Sequence, residues 1–397
     1  MVGPIYIIAI ALGTAFSLGF FKKANRSFTF GLMFLAMAFI TFISGQWLYT
    51  FLTQQQETIQ IFTAGFKPPF SIALQMGFQE SVFLTIINVL GLLSAIYLFD
   101  HLREKGVNMM MVFILLFMGL NVVVMTRDIF NLFVFLEISS IALIGLIILE
   151  KKEHAISSGF KYLIATGIIS GLLLIGIIAA YYYSGSLYLN DIIGAKLLYT
   201  KGGSVAVFLI LVAAILELKP FPANGWALDV YQSANPGIGA IVSGGIATAS
   251  LFILYKLLAI AGDAWLLPIG IVGVISFLGS NFLGINQKSA NRLLGYSSIG
   301  QVGLLMIIIG VSKSLGTKFE FVFFSILISH YLAKAGLFWI SGIINKDEIS
   351  QWNVIRNNSG LIVLTGVFML TLLGLPPFPS FYGKWELIMN LAQSGNF

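Results

Sequence analysis

The chain has 397 residues, 58% of them hydrophobic and 10% charged, with a mean hydropathy of +0.95; a soluble domain carries about a quarter charged residues, so a soluble enzyme or binding module is excluded. With no cysteine, disulfides, iron–sulfur clusters and thiolate metal sites are excluded, and His101, His154 and His330 are too scattered for a metal or haem centre. The net charge of +6 lies in loops between apolar runs, which sets nucleic acid aside.

Apolar runs near 20 residues, long enough to cross a hydrocarbon core of about 30 Å, recur from end to end. Twelve spans can be drawn: 2–20, 28–50, 81–99, 108–125, 128–149, 157–183, 203–219, 236–260, 265–285, 293–311, 319–344 and 360–395. The pattern predicts an all-α integral membrane protein, one polytopic domain without a soluble module. The first run has no basic region ahead of it and no small-residue cleavage site, so it is read as a retained span. The polar segment Gln54 to Gln79 alternates at Ile59, Ile61 and Phe62 and turns at Pro68-Pro69, which predicts an extra-membrane hairpin. The amphipathic segment Leu187 to Thr200 is placed on the membrane surface.

Two spans, the seventh and the twelfth, are interrupted. Leu216-Glu217-Leu218-Lys219-Pro220-Phe221-Pro222 puts a lysine beside two prolines, and Leu375-Pro376-Pro377-Phe378-Pro379 is followed by Lys384. Proline removes a backbone donor and clashes with the preceding turn, so each helix breaks there. Broken helices at membrane depth survive only inside protein or around water. An ionisable group at such a place is by default a functional-site hypothesis, and paired breaks in two halves point to a transport pathway.

Of the 22 basic residues, Lys161, Lys219, Lys256, Lys334 and Lys384 fall inside spans. Glu137 and Glu217 are embedded acids, with Glu386 a third candidate. Lys161, close to the Lys151-Lys152 loop, reads as a snorkelling anchor. Lys384 follows Lys219 by 165 residues, and the same shift carries the fourth span into the ninth and Glu137 next to Gln301. Five-helix units repeated this way are odd in number and so insert with opposite topology, as inverted repeats do. The expected organisation is residues 1–107 as N-terminal helices and hairpin, 108–260 as a first repeat, and 261–397 as a second repeat left incomplete at its C-terminal end.

Several stretches together resemble one family, the antiporter-like subunits shared by respiratory complex I, membrane-bound hydrogenases and Mrp-type multisubunit sodium/proton antiporters. Arg127-Asp128-Ile129-Phe130-Asn131-Leu132-Phe133-Val134-Phe135-Leu136-Glu137 resembles the family's fifth-helix motif. Lys219-Pro220-Phe221-Pro222 with Trp226-Ala227-Leu228-Asp229 resembles its first broken helix, and Gly374 to Lys384 its second. Asn291 to Gln301 and His330-Tyr331-Leu332-Ala333-Lys334 resemble its tenth- and eleventh-helix motifs. The resemblance implies that Glu137 pairs with Lys219, and that Lys334 links this half to Lys384 along a hydrophilic axis at the membrane midplane. It also implies protons or sodium ions as cargo, other membrane subunits and lipid as partners, no cofactor in this chain, and a multi-pass location in a prokaryotic cell membrane. Thr248 stands where the family has an eighth-helix lysine or histidine. Lys256, about 12 Å further along the helix, either replaces that group through water or snorkels to the surface.

In chemical terms, a buried lysine beside a carboxylate holds its proton, and one moved away from it releases it. Glu137 and Lys219 are therefore a switchable pair or, on the plainer reading, a static ion pair that fixes helix packing. His330 and Lys334 lie one turn apart, as a relay requires. A lone core histidine is the alternative. Ser297, Ser298 and Gln301 are candidates to line a wet path or to bond between helices. Glu217 points away from Lys219, toward a partner or the surface. The competing functions are a stand-alone antiporter and a structural subunit that keeps only the fold. Loops after odd-numbered spans hold 11 basic residues against 6 in the others, which places them in the cytoplasm. A reporter fused at Glu153 is expected to be cytoplasmic, and extracytoplasmic reporter activity there would overturn the orientation.

Overall fold

A computed structural model describes residues 2–54 and 56–393; Ser394 and Gly395, at the end of the expected twelfth span, lie outside them. In chain order the helices and strands are α1 (Ile5–Phe20), α2 (Arg26–Gln54), β1 (Ile59–Phe62), β2 (Ala73–Met76), α3 (Phe78–Tyr97), α4 (Phe99–Lys105), α5 (Val107–Met125), α6 (Ile129–Ile148), α7 (Glu153–Ser184), α8 (Leu189–Gly194) and α9 (Lys201–Glu217). There follow α10 (Gly225–Ser233), α11 (Pro236–Ile241), a π-helical turn (Val242–Ile246), α12 (Ala247–Ala261), α13 (Leu266–Gly284), α14 (Ala290–Gly310), α15 (Ser312–Leu315), α16 (Phe319–Ile344), α17 (Ser359–Leu373) and α18 (Pro379–Gln393).

The architecture is that of a nearly all-helical integral membrane protein. Among the described residues, eight helices are long and apolar enough to cross a membrane, or nine with one bent pair, and Ile5–Phe20 and Ser359–Leu373 are shorter apolar helices. These criteria do not fix the count at twelve. The apolar helical run Pro236–Gly284, 49 residues long, is about twice the length a bilayer needs and is interrupted by a 3-10 turn at Gly262–Trp265. The two expected discontinuities are present. One separates α9 from α10 and the other α17 from α18. The segment 189–199 turns by 119° into α9, so it is not a continuation of that span.

The chain divides into two compact units, Met1–Ala214 with Thr248–Ala261, and Ile215–Ala247 with Gly262–Phe397. They are cut differently from the sequence repeats in one stretch: Ile215–Ala247, with Lys219, groups with the second unit. In the first unit α5 packs against α1, α3 and α6. Strands β1 and β2 pair antiparallel, Ile59 opposite Met76, within the segment read as a hairpin. Between α3 and α5, the amides of Asn88 and Asn121 exchange two hydrogen bonds of 2.9 Å, and both side chains are fully buried. In the second unit α13 and α14 pack most extensively. A Cβ on Gly303 would stand 2.7 Å from the Gly273 carbonyl, and one on Gly273 2.7 Å from the Gly303 carbonyl. Glycine is required at both positions because the backbones approach too closely for any side chain.

The Asn88–Asn121 pair leads to a direct test. Asn121→Leu strands the Asn88 amide in an apolar interior at a cost of about 1–3 kcal/mol, whereas replacing both by leucine removes the need for a partner. Thermal unfolding of the purified protein is expected to show a larger loss for Asn121→Leu than for the double replacement.

Candidate functional site

In the first unit the candidate site begins where α5 ends. Met125 is followed by the extended residue Thr126, and Asp128 caps α6 by accepting from the Asn131 amide at 2.7 Å. Glu137 lies eight residues into α6 from Ile129, about 12 Å deeper. Its side chain is half-buried, and Oε1 is buried without a hydrogen-bond partner among the described residues. Thr248, at the start of α12, is fully buried.

Lys256 does not snorkel to the surface. It is 5% exposed, and its ammonium donates to the carbonyls of Val123 at 3.0 Å, Val124 at 2.7 Å and Thr126 at 2.8 Å. The Phe252 ring lies 5.1 Å away. All three ammonium donors are therefore taken, by carbonyls that have no amide partner because α5 stops there. The expectation that it snorkels to the surface is corrected, because the side chain is buried on backbone carbonyls. Glu80 and Arg127 are its charged neighbours. Glu80 is buried and accepts from the Gly77 amide at 3.0 Å and from Gln75 at 2.8 Å. Burial lowers the Arg127 guanidinium from its ordinary value, while Glu80 and Tyr188 act in the opposite sense.

In the second unit Lys219 follows the last turn of α9 with φ at +59°. For a residue with a Cβ that left-handed backbone is strained, and it folds the chain back. The Lys219 amide bonds to the Leu216 carbonyl at 2.9 Å, and its ammonium bonds to the Glu217 carbonyl at 3.1 Å. The side chain is 3% exposed and lies 5.8 Å from the Trp226 ring. Proline cannot donate at position 220, so the next amide, Phe221, finds Ser276 at 3.1 Å. Glu217 is buried and is a charged neighbour of Lys219. The expectation that it reaches the surface fails because α9 ends inside the protein.

At the second break Lys384 approaches from the other side. It stands within α18 and reaches back to the carbonyls of Leu372 at 2.8 Å and Leu373 at 3.1 Å. Gly374 has φ at +77°, and a Cβ there would meet Lys384 Cδ at 2.8 Å; the glycine makes both the turn and the lysine's passage possible. The two lysines are thus not at the same place in their breaks. Aligning Pro220-Phe221-Pro222 with Pro377-Phe378-Pro379 takes a shift of 157 residues (377 − 220), against 165 for the lysines. What they share is the destination of the ammonium, the carbonyl end of the helix before the break.

Lys334 is fully buried on α16, with its ammonium 3.3 Å from the Leu294 carbonyl of α14. His330, one turn earlier, is 2% exposed, and neither ring nitrogen has a hydrogen-bond partner among the described residues. Lys334 and Lys384 are its charged neighbours. Ser298 and Ser243 share a hydrogen bond of 2.7 Å that ties α14 to the π-helical turn. Ser297 and Gln301, on the same helix, are half-buried. Arg292 pairs with Asp229 at 2.9 Å. Glu386 is half-buried and pairs with Lys318 at 3.2 Å.

Sequence reasoning missed Glu80, which stands just before an expected span and looks interfacial. It also missed the His101–Glu150 contact of 2.6 Å, in which Glu150 is buried. No pattern in the sequence marks that pair, because His101 lies in the short helix α4 and Glu150 just beyond the end of α6, far apart in the chain.

Comparison with known proteins gives the chain its relatives. A family model described as NADH:quinone oxidoreductase/Mrp antiporter, TM matches residues 126–397. The chain is 28% identical to NADH-quinone oxidoreductase subunit N of Desulforudis audaxviator over 414 aligned positions, which cover 99% of this chain and 81% of that protein. It is 30% identical to subunit N 2 of Aquifex aeolicus over 291 positions, covering 69% and 58%. Similar relatives from Desulforamulus reducens and a Hydrogenobaculum strain are covered over 60% and 62% of their length. Among solved structures, a chain of the archaeal membrane-bound sulfane sulfur reductase superposes with a TM-score of 0.88 at 26% identity, covering 99% of this chain and 82% of that one. A chain of the Mrp complex from Dietzia sp. DQ12-45-1b superposes with a TM-score of 0.89 over 100% of this chain and 76% of that one, and at 18% identity it speaks for the fold alone. The family match spans well over half of the chain and contains both breaks, and so the chain belongs to the NADH:quinone oxidoreductase/Mrp antiporter family, as a multi-span, antiporter-like membrane protein.

Proposed function

We propose that this chain translocates protons as one membrane subunit of a multisubunit energy-converting complex in a prokaryotic plasma membrane. The single observation that carries the reading is the treatment of its buried lysines. Lys219, Lys334 and Lys384 each place an ammonium on backbone carbonyls inside an apolar chain, two of them at helix breaks. A cation held in this way can be discharged and recharged without leaving a carboxylate stranded, and the low dielectric makes its protonation sensitive to any charge that moves nearby. Neutral carbonyls stabilise the charged form less than a carboxylate does.

The proposed roles follow from position. Glu137 is the carboxylate of the path in the first unit, and its Oε1, without a hydrogen-bond partner among the described residues, leaves it free to take a proton or a new partner. His330, with two unpaired ring nitrogens one turn from Lys334, connects Lys334 and Lys384 through water. A buried imidazole is stable only if such polar atoms find partners, and water is the partner available to a transport path. Ser297, Ser298 and Gln301 line that path. Lys256 is left out of the chain of carriers because its three donors are committed. Assembly with other membrane subunits is supported by the 26% identical chain of the membrane-bound sulfane sulfur reductase, which is part of a respiratory membrane complex. Sodium coupling is the variant of the same reading in which the pathway exchanges the two cations.

In the assembled complex reconstituted in vesicles, Glu137→Gln, Lys219→Met, Lys334→Met and Lys384→Met are each expected to abolish the share of transport that depends on this subunit. Glu386→Gln, at the partly exposed Lys318 pair, is expected to leave it unchanged. Undiminished transport by both Glu137→Gln and Lys219→Met would overturn the proposal and favour a structural subunit.

A further inference from the structure

The Lys256 ammonium is the most completely coordinated cation described in the chain, and the proposed proton path does not use it. It closes the end of α5 by bonding to Val123, Val124 and Thr126. The short elbow from Thr126 to Asp128 joins α5 to α6, the helix that carries Glu137. Every other bond of this elbow also fixes it. The Thr126 hydroxyl accepts from the Asp128 amide at 3.2 Å and from the Asn131 side chain at 2.9 Å. The Arg127 amide bonds to the Ala73 carbonyl of β2 at 2.8 Å, the Arg127 carbonyl takes the Leu189 amide at 2.8 Å, and the Ile129 amide bonds to the Leu187 carbonyl at 3.0 Å.

Charge around the elbow is balanced. Glu80 and Asp128 stand against Lys256 and Arg127, and each has a helix-end or loop role of its own. Glu80 closes the start of α3, Asp128 the start of α6, and Lys256 the end of α5. The Arg127 guanidinium bonds to Asn190 at 2.6 Å. A cation at a helix C-terminus is favourable electrostatically, more so when partly buried. With three acceptors at 2.7–3.0 Å, losing the proton would cost Lys256 one of three bonds and leave a buried carbonyl unpaired.

We infer that Lys256 is a fixed cation and a positioning residue: it clamps the α5–α6 elbow and so sets the depth and rotation of Glu137, without itself carrying protons. The elbow leads directly into α6, and Glu137 stands about 12 Å along that helix from Ile129, so a shift of the elbow is transmitted to the Glu137 carboxylate. Thr248 then has no lysine acting in its place, and the step after Lys219 depends on other groups. The inference rests on the proposed role of Glu137.

The test compares Lys256→Met, Lys256→Arg and Glu137→Gln in the reconstituted complex. Lys256→Met removes the charge and is expected to lower transport about tenfold or more, the scale on which small misplacements of reacting groups act. Lys256→Arg keeps a charge that never leaves at working pH; it is expected to restore transport to within about threefold of the parent and to keep the same pH profile. An assembled Lys256→Arg complex as inactive as Lys256→Met, or with a displaced alkaline limb, would show that Lys256 itself must release a proton, and the inference fails. Normal transport by Lys256→Met overturns it as well. If Lys256→Met does not assemble, Lys256→Ala prepared in ammonium chloride replaces it. Rescue by ammonium and not by choline supports the fixed cation, and equal failure in both salts contradicts it. Glu137→Gln is the control: its full activity removes the underlying reading, whereas its inactivity beside an active Lys256→Met removes only this inference.

Discussion

A lysine ammonium carries three donors and a full charge, and lipid offers neither acceptors nor solvation. Placing one at membrane depth costs about 3 kcal/mol or more unless the protein supplies partners. A helix that ends there has the opposite problem, because its last carbonyls have lost their amides. The two deficits cancel when they meet. Lys219 on Glu217, Lys256 on Val123, Val124 and Thr126, and Lys384 on Leu372 and Leu373 are three instances of that cancellation. Proline at two of these endings forces the helix to stop. At the third, the capped start of α6 achieves the same result.

The same contact serves two ends, and the number of bonds distinguishes them. Lys256 has all three donors engaged on one helix end and stands among balanced charges, which suits a fixed clamp. Lys219 and Lys384 are held by fewer acceptors and sit beside backbone turned left-handed, at Lys219 itself and at Gly374. Fewer bonds mean a smaller change when the proton leaves. Lys334, with a single long contact at 3.3 Å, is the most weakly held, and it neighbours a histidine with no described partner. The gradient from clamp to carrier follows from counting donors.

Much of this was legible in the sequence, for reasons that can be named. Proline dictates local backbone whatever its surroundings, so both breaks could be located from Pro220 and from Pro376-Pro377. Charges are rare enough in this chain that Glu137, Lys219, Lys334 and Lys384 stood out without any structure. What could not be read was where each side chain ends. Lys256 looked like a substitute two turns from Thr248, and only the neighbouring end of α5 shows that its donors are spent. The 165-residue spacing of Lys219 and Lys384 suggested equivalent positions, but a long side chain can reach the same carbonyls from either side of a break. Uncharged pairs such as Asn88 with Asn121, and acids at helix starts such as Glu80, leave no signature in hydropathy. Their burial depends on which helices become neighbours.

The central claim is that the carbonyl-held ammonium groups of Lys219, Lys334 and Lys384 are the movable charges of this chain, and that Lys256 is the exception. A map of the assembled complex, resolved well enough to place water and recorded at acid and at alkaline pH, tests it most directly. The account predicts ordered water at the two nitrogens of His330, displacement of the Lys219, Lys334 or Lys384 ammonium from its carbonyls at alkaline pH, and an unmoved Lys256. Four lysines fixed on the same carbonyls at both pH values, with His330 dry, would contradict it.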